Sequence, residues 1–230
     1  MIKALVFDFD GLILDTELSA LQSWQEVYRA HKSELPLEKW ALCIGSGFEA
    51  FDPYTYLEAL LGRAILRDEI AAQISKRNIE MIETQAALPG IEDAIKAAKR
   101  LGLKIAVASS SPRSWVVGHL TRLGLHQEFD AMKFGDEVAR KKPHPEIYLG
   151  ALELLGIRAD EAIALEDSPN GVLAAQRAGI FCVAIPNIVT GQLFLDHANL
   201  RLKSLADLPL EELIALVENK QAQKSQESLA

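Results

Sequence analysis

Short apolar segments alternate with amphipathic helical segments along most of this chain, and this alternation restricts the folds that the chain can adopt. Six apolar segments predict strands, at residues 2–9, 103–109, 129–134, 162–166, 181–185 and 200–203. Several of them lack polar alternation, as strands do when both faces of a parallel sheet are covered. Helical patterns lie between or after them, at residues 91–101, 115–123, 146–155, 171–178 and 210–218. The sequence therefore predicts an α/β fold with a doubly wound, Rossmann-like parallel sheet.

The region between the first predicted strand and Pro89-Gly90 interrupts this pattern, because it has helical periodicity and no convincing strand. It is much longer than an ordinary connection between a strand and a helix. We therefore expect a helical domain at residues 16–87, inserted into an α/β core domain formed by residues 1–15 and 88–219. The polar residues 220–230 predict a flexible C-terminal tail.

Composition excludes several classes of protein. The net charge of −8 is the opposite of what a duplex nucleic-acid binder needs, since phosphate contacts require clustered Lys and Arg. Cys43 and Cys182 lie in apolar surroundings and are expected to be buried, reduced thiols. No apolar run has the length of a membrane span, and the N-terminal segment lacks the pattern of a secretory signal. We expect a cytoplasmic monomer that binds neither nucleic acid nor membranes.

Two acidic residues lie at the end of the first predicted strand, Asp8 within it and Asp10 just after it, and Gly11 follows them. In a parallel sheet, ligands bind beyond the carboxyl ends of the strands. Two neighbouring carboxylates raise each other's pKa unless a cation or hydrogen bonds compensate, and Mg²⁺, which prefers oxygen ligands, is a suitable cation. The same residues also fit a solvated acidic turn. A functional site therefore requires partners from elsewhere in the chain.

Three further polar segments lie at or after the ends of predicted strands. Residues 109–111 are all serine, and they could bind phosphate oxygens or cap the following helix. Residues 140–143 (RKKP) offer a lysine that could neutralise a carboxylate and a phosphoryl group, or they form an exposed basic loop. Residues 166–168 (EDS) offer a second carboxylate pair for a metal site, or a helix cap. Together with Asp8, these segments predict a site at one edge of the sheet.

The order of these motifs resembles that of the haloacid dehalogenase superfamily of phosphotransferases. The resemblance spans roughly residues 2–207 and is carried by FDFDGLILDTE, the serines at 109–111, KKPHPEIY and LEDSPNGVLAAQRAG. The helical insertion is similar to the small α-helical cap domain of the beta-phosphoglucomutase-like phosphatases. The resemblance implies a hydrolase acting on small phosphate monoesters, sugar phosphates among them.

The same resemblance implies a role for each acidic residue of the first motif. Asp8 would attack phosphorus and form an aspartyl-phosphate intermediate. Asp10 would protonate the leaving alkoxide and then activate the water that hydrolyses the intermediate. Asp10 also favours phosphate esters over carbon–halogen bonds, since a leaving halide needs no proton.

A Mg²⁺ cofactor and a set of phosphate-binding groups are implied as well. The metal would be held by Asp8, Asp10, Glu166 and Asp167, with Asp10 contributing its backbone carbonyl. The phosphoryl oxygens would be bound by Ser109, Ser110 and Lys142. Lys142 is preferred to Lys141 because the lysine of the family immediately precedes the proline.

One position departs from the phosphoglucomutase branch, which carries a histidine on the first cap helix where this chain has Ala20. The next histidine, His31, lies too far along the helical pattern to replace it. A mutase must keep its aspartyl-phosphate away from water, so plain hydrolysis is the favoured reaction. A phosphosugar mutase is the alternative enzyme. A non-catalytic, receiver-like phospho-acceptor is the alternative outside the enzymes, although such modules are shorter and lack a large helical insertion.

The inserted helical domain offers few functional indications. Gly45, Ser46 and Gly47 could form a substrate-facing loop, because glycine permits close approach, or a turn between helices. The three tryptophans, Trp24, Trp40 and Trp115, lie at helical positions and are interpreted as core residues rather than as platforms for a ligand.

Overall fold

The computed structural model describes residues 1–44, 48 and 50–227, and its centre is a parallel sheet of six strands. The strand order is β3-β2-β1-β4-β5-β6, and every neighbouring pair is parallel. The strands are β1 (Ala4–Phe7), β2 (Lys104–Ser109), β3 (Ala131–Phe134), β4 (Ala162–Glu166), β5 (Phe181–Ala184) and β6 (Leu200–Arg201). This arrangement confirms the predicted doubly wound α/β fold.

The α-helices are α1 (Thr16–Ala30), α2 (Leu37–Trp40), α3 (Pro53–Leu61), α4 (Arg67–Glu83), α5 (Ile91–Arg100), α6 (Arg113–Arg122), α7 (Glu146–Leu155), α8 (Pro169–Arg177) and α9 (Leu210–Glu227). Short 3₁₀ helices cover Ala41–Cys43, His126–Glu128, Gly135–Glu137, Ala159–Glu161, Thr190–Gln192 and Leu205–Asp207. Helix α9 continues past its predicted end at residue 218 and into the predicted tail, because residues 219–227 contain neither glycine nor proline.

Apolar side chains cover both faces of the sheet. Leu5 and Phe7 of β1 pack with helices α5, α6 and α9 on one face. Ala4 and Val6 point to the other face, where they pack with α7 and α8. The strands therefore need apolar residues at consecutive positions, which explains the absence of polar alternation in the sequence.

Helices α1 to α4 follow β1 and enclose a third apolar cluster. Trp24 and Trp40 are buried in it, as predicted, and the Tyr28 hydroxyl donates a hydrogen bond to the Pro53 carbonyl at 2.6 Å. Val189, from the loop after β5, joins this cluster and connects it to the α/β part of the chain. The separate cluster supports our proposal that residues 16–87 form an inserted domain.

Both cysteines are buried and free, as the sequence predicted. Within the described part of the chain, no helix combines the length and the apolar character that crossing a bilayer requires.

Candidate active site

The carboxyl ends of the three central strands meet at one cavity. Strand β1 lies between β2 and β4, so Asp8 after β1, Ser109 at the end of β2 and Glu166 at the end of β4 lie side by side. The cavity has a volume of about 500 Å³, and residues of α1 and α4 line its opposite side. Parallel strands thus bring together residues that are 99 and 134 positions apart in the sequence, as in the contacts of Ser109 with Asp10 and of Lys142 with Asp8.

Lys142 lies at the centre of the charged groups. Its ammonium group donates hydrogen bonds to Asp8 Oδ1 at 2.5 Å and to Glu166 Oε1 at 2.6 Å. Tyr148, from α7, donates its hydroxyl proton to the same Glu166 oxygen at 2.8 Å. The Lys142 side chain is only 6% exposed, whereas the neighbouring Lys141 is exposed. Of the two lysines in the RKKP segment, Lys142 is therefore the one that contacts Asp8.

Three buried carboxylates surround this single ammonium group. Oxygen atoms of Asp8, Glu166 and Asp167 all lie within 4.8 Å of one another. Burial, followed by the charge of Glu166, raises the pKa of Asp8 to about 8, although Lys142 opposes the shift. Burial and the charges of Asp8 and Glu166 raise the pKa of Asp167 well above its ordinary value. A divalent cation that prefers oxygen ligands would balance this excess of negative charge.

The Asp10 side chain is turned away from the carboxylate cluster and toward the segment that follows β2. Its Oδ2 atom accepts hydrogen bonds from the hydroxyl groups of Ser111 at 2.7 Å and Ser109 at 3.3 Å. Its Oδ1 atom accepts a hydrogen bond from Trp115 Nε1 at 2.9 Å. All three neighbours act as donors, so they hold Asp10 as an acceptor at the wall of the cavity.

Trp115 packs against the apolar core, as the sequence predicted, but the structure gives it a second role at the cavity. Trp115 is half-buried in the first turn of α6, and its indole N–H contacts Asp10 directly. Ser111, which the sequence grouped with Ser109 and Ser110 without a role of its own, makes the shorter hydroxyl contact with Asp10. Trp115 lies only a few residues after the end of β2, and this position could have indicated a residue of the site. Helical periodicity alone did not distinguish such a residue from a core residue.

Asn187, a residue that sequence reasoning missed, orients Asp167. Its amide donates hydrogen bonds to Asp167 Oδ2 at 2.9 Å and to the Gly11 carbonyl at 3.2 Å. Its own oxygen accepts the backbone N–H groups of Val189 and Thr190, which fixes the amide orientation. A Cβ atom at Gly11, where φ is +81°, would lie 2.2 Å from Asp167 Oδ2. Glycine at this position therefore permits both the turn and the approach of Asp167.

The start of helix α8 holds Glu166. The backbone N–H groups of Asp167 and Ser168 donate to Glu166 Oε2 at 3.1 and 3.4 Å. The Ser168 hydroxyl caps the helix by accepting the N–H of Gly171 at 3.2 Å. Ser168 thus fulfils the helix-cap role that the sequence left open, while Glu166 and Asp167 remain directed at the site.

Replacing Gly171 with alanine is expected to destabilise the protein by about 1–3 kcal/mol, because the added methyl group overpacks a filled space. A Cβ atom there would lie 1.9 Å from the Glu166 Cδ atom. The free energy of unfolding can be measured with urea. Gly118→Ala in α6 is the matched control, because a Cβ atom at Gly118 meets no atom within 4 Å. Equal stabilities for the two variants would contradict the tight packing of Glu166 on α8.

Three residues of α1 line the cavity: Thr16, Glu17 and Ala20. Glu17 is partly buried, and burial together with the charges of Asp10 and Asp15 raises its pKa to about 7. Ala20 also lines the cavity, and no histidine is found among the described lining residues. The predicted substrate loop of Gly45, Ser46 and Gly47 lies outside the described residues.

Comparisons with known proteins agree with this geometry. Residues 5–185 match the family described as haloacid dehalogenase-like hydrolase. The chain is 45% identical over 214 residues to the protein YhcW of Bacillus subtilis (strain 168), covering 93% of this chain and 97% of the relative. It is 30% identical over 223 residues to hexitol phosphatase B of Escherichia coli (strain K12), covering 93% and 97%.

A solved structure of a related protein has a similar fold. The crystal structure of CbbY from Rhodobacter sphaeroides in complex with phosphate superposes with a TM-score of 0.68. The two chains are 32% identical, and the superposition covers 90% of this chain and 96% of CbbY. The family match spans most of the sequence, and the two relatives match 93% of the chain. The chain therefore belongs to the haloacid dehalogenase-like hydrolase family.

Proposed function

We propose that this protein hydrolyses small phosphate monoesters, sugar phosphates among them, with Asp8 as the nucleophile. The observation that carries the proposal is the buried contact of Asp8 with Lys142 on the floor of the cavity, beside Glu166 and Asp167. The relative named hexitol phosphatase B supports the reaction class.

In the first step, an Asp8 carboxylate oxygen attacks phosphorus and the bond from phosphorus to the ester oxygen breaks. An aspartyl-phosphate forms, and the leaving alkoxide takes a proton from Asp10. Lys142 holds Asp8 in place and counters the charge that would otherwise repel the phosphoryl group.

In the second step, a water molecule attacks the same phosphorus atom while its proton passes to Asp10. The bond between phosphorus and the Asp8 oxygen breaks, which releases inorganic phosphate and restores the Asp8 carboxylate. The surroundings of Asp10 support this second role, because Ser109, Ser111 and Trp115 donate hydrogen bonds to it, as a proton-accepting carboxylate requires.

The donor set fits Mg²⁺, because, among the described residues, three buried carboxylates lie together and Lys142 is the ammonium group that bonds to them. The ion would be held by Asp8, Asp167 and the Asp10 backbone carbonyl, with Glu166 bound directly or through water. When bound, it would supply the positive charge that allows an anionic nucleophile to approach an anionic phosphate.

The phosphoryl oxygens would be bound by Lys142 and by the segment after β2, including Ser109 and Ser110. Ser110 lines the cavity. The Ser109 hydroxyl bonds to Asp10 and accepts the N–H of Ser111 at 3.0 Å, so its phosphate contact would require it to exchange one of these partners.

Phosphate release from a panel of sugar, polyol, nucleotide and small-acid monophosphates tests the proposal. We expect turnover of several members with Mg²⁺ and a loss of at least about a hundredfold with EDTA, since metal charge stabilisation is worth several kcal/mol. Release that is unaffected by EDTA would contradict the metal assignment. If no compound of the panel released phosphate, the proposed phosphatase activity would be contradicted.

The alternative enzyme, a phosphosugar mutase, predicts a different product. It would interconvert two isomeric sugar phosphates with little phosphate release. Ala20 at the cavity wall, where the mutase branch has a histidine, favours hydrolysis. Isomer formation that outpaces phosphate release would establish the mutase instead.

A further inference from the structure

The turn that follows β5 contacts both the carboxylate cluster and the helices that follow β1. The Asn187 amide donates hydrogen bonds to Asp167 Oδ2 at 2.9 Å and to the Gly11 carbonyl at 3.2 Å. Two residues later, the Val189 side chain is fully buried. It packs in the apolar cluster enclosed by α1 to α4, which we call the α1–α4 cluster. One short turn therefore joins a candidate metal ligand to these helices.

Val189 is the member of the α1–α4 cluster that comes from the α/β part of the chain. Every other described residue assigned to the cluster lies between positions 18 and 74. The preceding apolar residue of the turn, Ile188, is 60% exposed, so Val189 is the residue that anchors the turn. Because a side chain in a close-packed interior is held by its neighbours, the packing of the helices fixes the position of Val189.

The hydrogen bonds of the turn connect Val189 firmly to Asn187. Asn187 Oδ1 accepts the backbone N–H groups of Val189 and Thr190, both at 2.9 Å. Thr190 Oγ1 in turn accepts the backbone N–H of Asn187 at 3.0 Å. Because the amide group is planar, its oxygen, bonded to the turn, and its nitrogen, bonded to Asp167, move together. A displacement of Val189 would therefore shift the amide and disturb Asp167.

We propose that Val189 is a positioning residue of the magnesium site: its packing in the α1–α4 cluster holds Asn187, and Asn187 holds Asp167. The inference rests on the Mg²⁺ assignment of the proposed phosphatase. Residues that orient the ligands of a metal typically change its affinity by about 10- to 100-fold. Such coupling is reciprocal, so bound Mg²⁺ stabilises the packing of the helices against Val189. Metal binding and the docking of α1 to α4 on the α/β part therefore favour each other.

Mg²⁺ binding to the full chain, measured by isothermal titration calorimetry, tests the proposal. Asn187→Ala is expected to weaken binding about tenfold or more, because Asp167 loses the donor that orients it. Val189→Ala is expected to weaken binding at least about fivefold, although its side chain lies in the apolar cluster. At one fixed Mg²⁺ concentration, the ion should also raise the thermal midpoint of Val189→Ala less than that of the wild type.

Two control variants separate this effect from general damage. Val27→Ala removes the same two methyl groups from the same cluster, since Val27 is buried on α1. It should lower the thermal midpoint in EDTA but change the Mg²⁺ affinity by less than about twofold, because α1 carries Val27 and the turn does not. Ile188→Ala shortens the exposed side chain of the turn and should retain both the midpoint and the affinity.

A pair of substitutions at Thr190 tests the same connection without shortening Val189. Thr190→Val preserves the shape of the buried side chain but removes the hydroxyl that accepts the Asn187 N–H, so it should weaken Mg²⁺ binding. Thr190→Ser keeps that hydroxyl and should bind Mg²⁺ like the wild type.

The outcomes separate the inference from the function on which it rests. Equal Mg²⁺ affinities of wild type and Val189→Ala, or an equal loss in Val27→Ala, would overturn the inference. If Val189→Ala failed to fold, unchanged Mg²⁺ binding by Thr190→Val would overturn it. A wild-type protein that released phosphate but bound no Mg²⁺ would overturn the inference and the metal assignment, but not the phosphatase. The expected affinities without any turnover would support the inference and overturn the phosphatase.

Discussion

Asp8→Asn is expected to lower the rate of phosphate release by at least about a thousandfold, as the loss of a catalytic nucleophile does in other enzymes. The amide occupies the same volume as the carboxylate but is not a nucleophile toward phosphorus. Initial rates with the best substrate of the panel, measured with Mg²⁺, check this expectation.

The same variant should fold normally. Asp8 is one of three buried carboxylates, and burial and Glu166 already raise its pKa to about 8, so an uncharged side chain is well tolerated there. Thermal unfolding in EDTA at pH 8 should show a midpoint at or above that of the wild type. Asp207→Asn, at an exposed position, is the matched control for activity. Residual activity above a few per cent, with deamidation excluded by mass spectrometry, would refute Asp8 as the nucleophile.

Lys142→Met is expected to affect both activity and stability. Removing one partner of a buried ion pair lowers stability by about 3–5 kcal/mol, because the remaining charges lose their compensation. Here Asp8 and Glu166 would both lose the ammonium group that bonds to them. Phosphate release should fall by at least about a hundredfold, since the nucleophile loses its orienting partner and counter-charge. Urea unfolding in EDTA and initial rates measure the two effects.

The loss of stability should grow as the pH rises. A carboxyl group whose pKa is raised in the folded state contributes stability at low pH, and that contribution is lost as the pH rises through the folded pKa. For wild-type Asp8, this contribution is lost between pH 3.8, the ordinary pKa, and about pH 8, the pKa in the folded protein. Lys142 lowers the pKa of Asp8, so removing Lys142 extends this pH range upward. The stability difference between wild type and variant should therefore be larger at pH 9 than at pH 5.

Lys141→Met is the matched control for this experiment. Lys141 is adjacent in sequence but exposed, and the structure places it outside the Asp8–Glu166 contact. Its substitution should change stability by less than about 0.5 kcal/mol, as is usual for surface positions. A comparable loss of stability in both variants would contradict the role of Lys142 as the counter-charge of Asp8 and Glu166. A loss of stability in Lys142→Met that does not change with pH would contradict it as well.

The strands and helices of the α/β part were largely predictable because their signals are local. Strand β4 (Ala162–Glu166) and helix α7 (Glu146–Leu155) have the predicted bounds. The edge strand β6 is shorter than predicted, since only Leu200 and Arg201 pair with β5. The length of β6 is set by how many of its residues pair with β5, and the apolar residues of the segment do not reveal that number.

The core motifs of the site were also predictable, but their contacts were not. The sequence alone indicated Asp8, Lys142, Glu166 and Asp167 as candidates, because these residue types follow apolar strands in a recognisable order. It could not show that Trp115 contacts Asp10, since the two residues are 105 positions apart and their contact depends on how α6 leaves the sheet.

The fold class, the family resemblance and the identity of the acidic and basic groups at the strand ends follow from the amino-acid sequence. Local periodicity and residue type are sufficient for these features. Only the three-dimensional packing shows which partner each group meets: Asn187 for Asp167, Gly171 for Glu166, and the indole N–H of Trp115 for Asp10. These contacts depend on side-chain packing between distant segments, and the composition of no single segment encodes that packing.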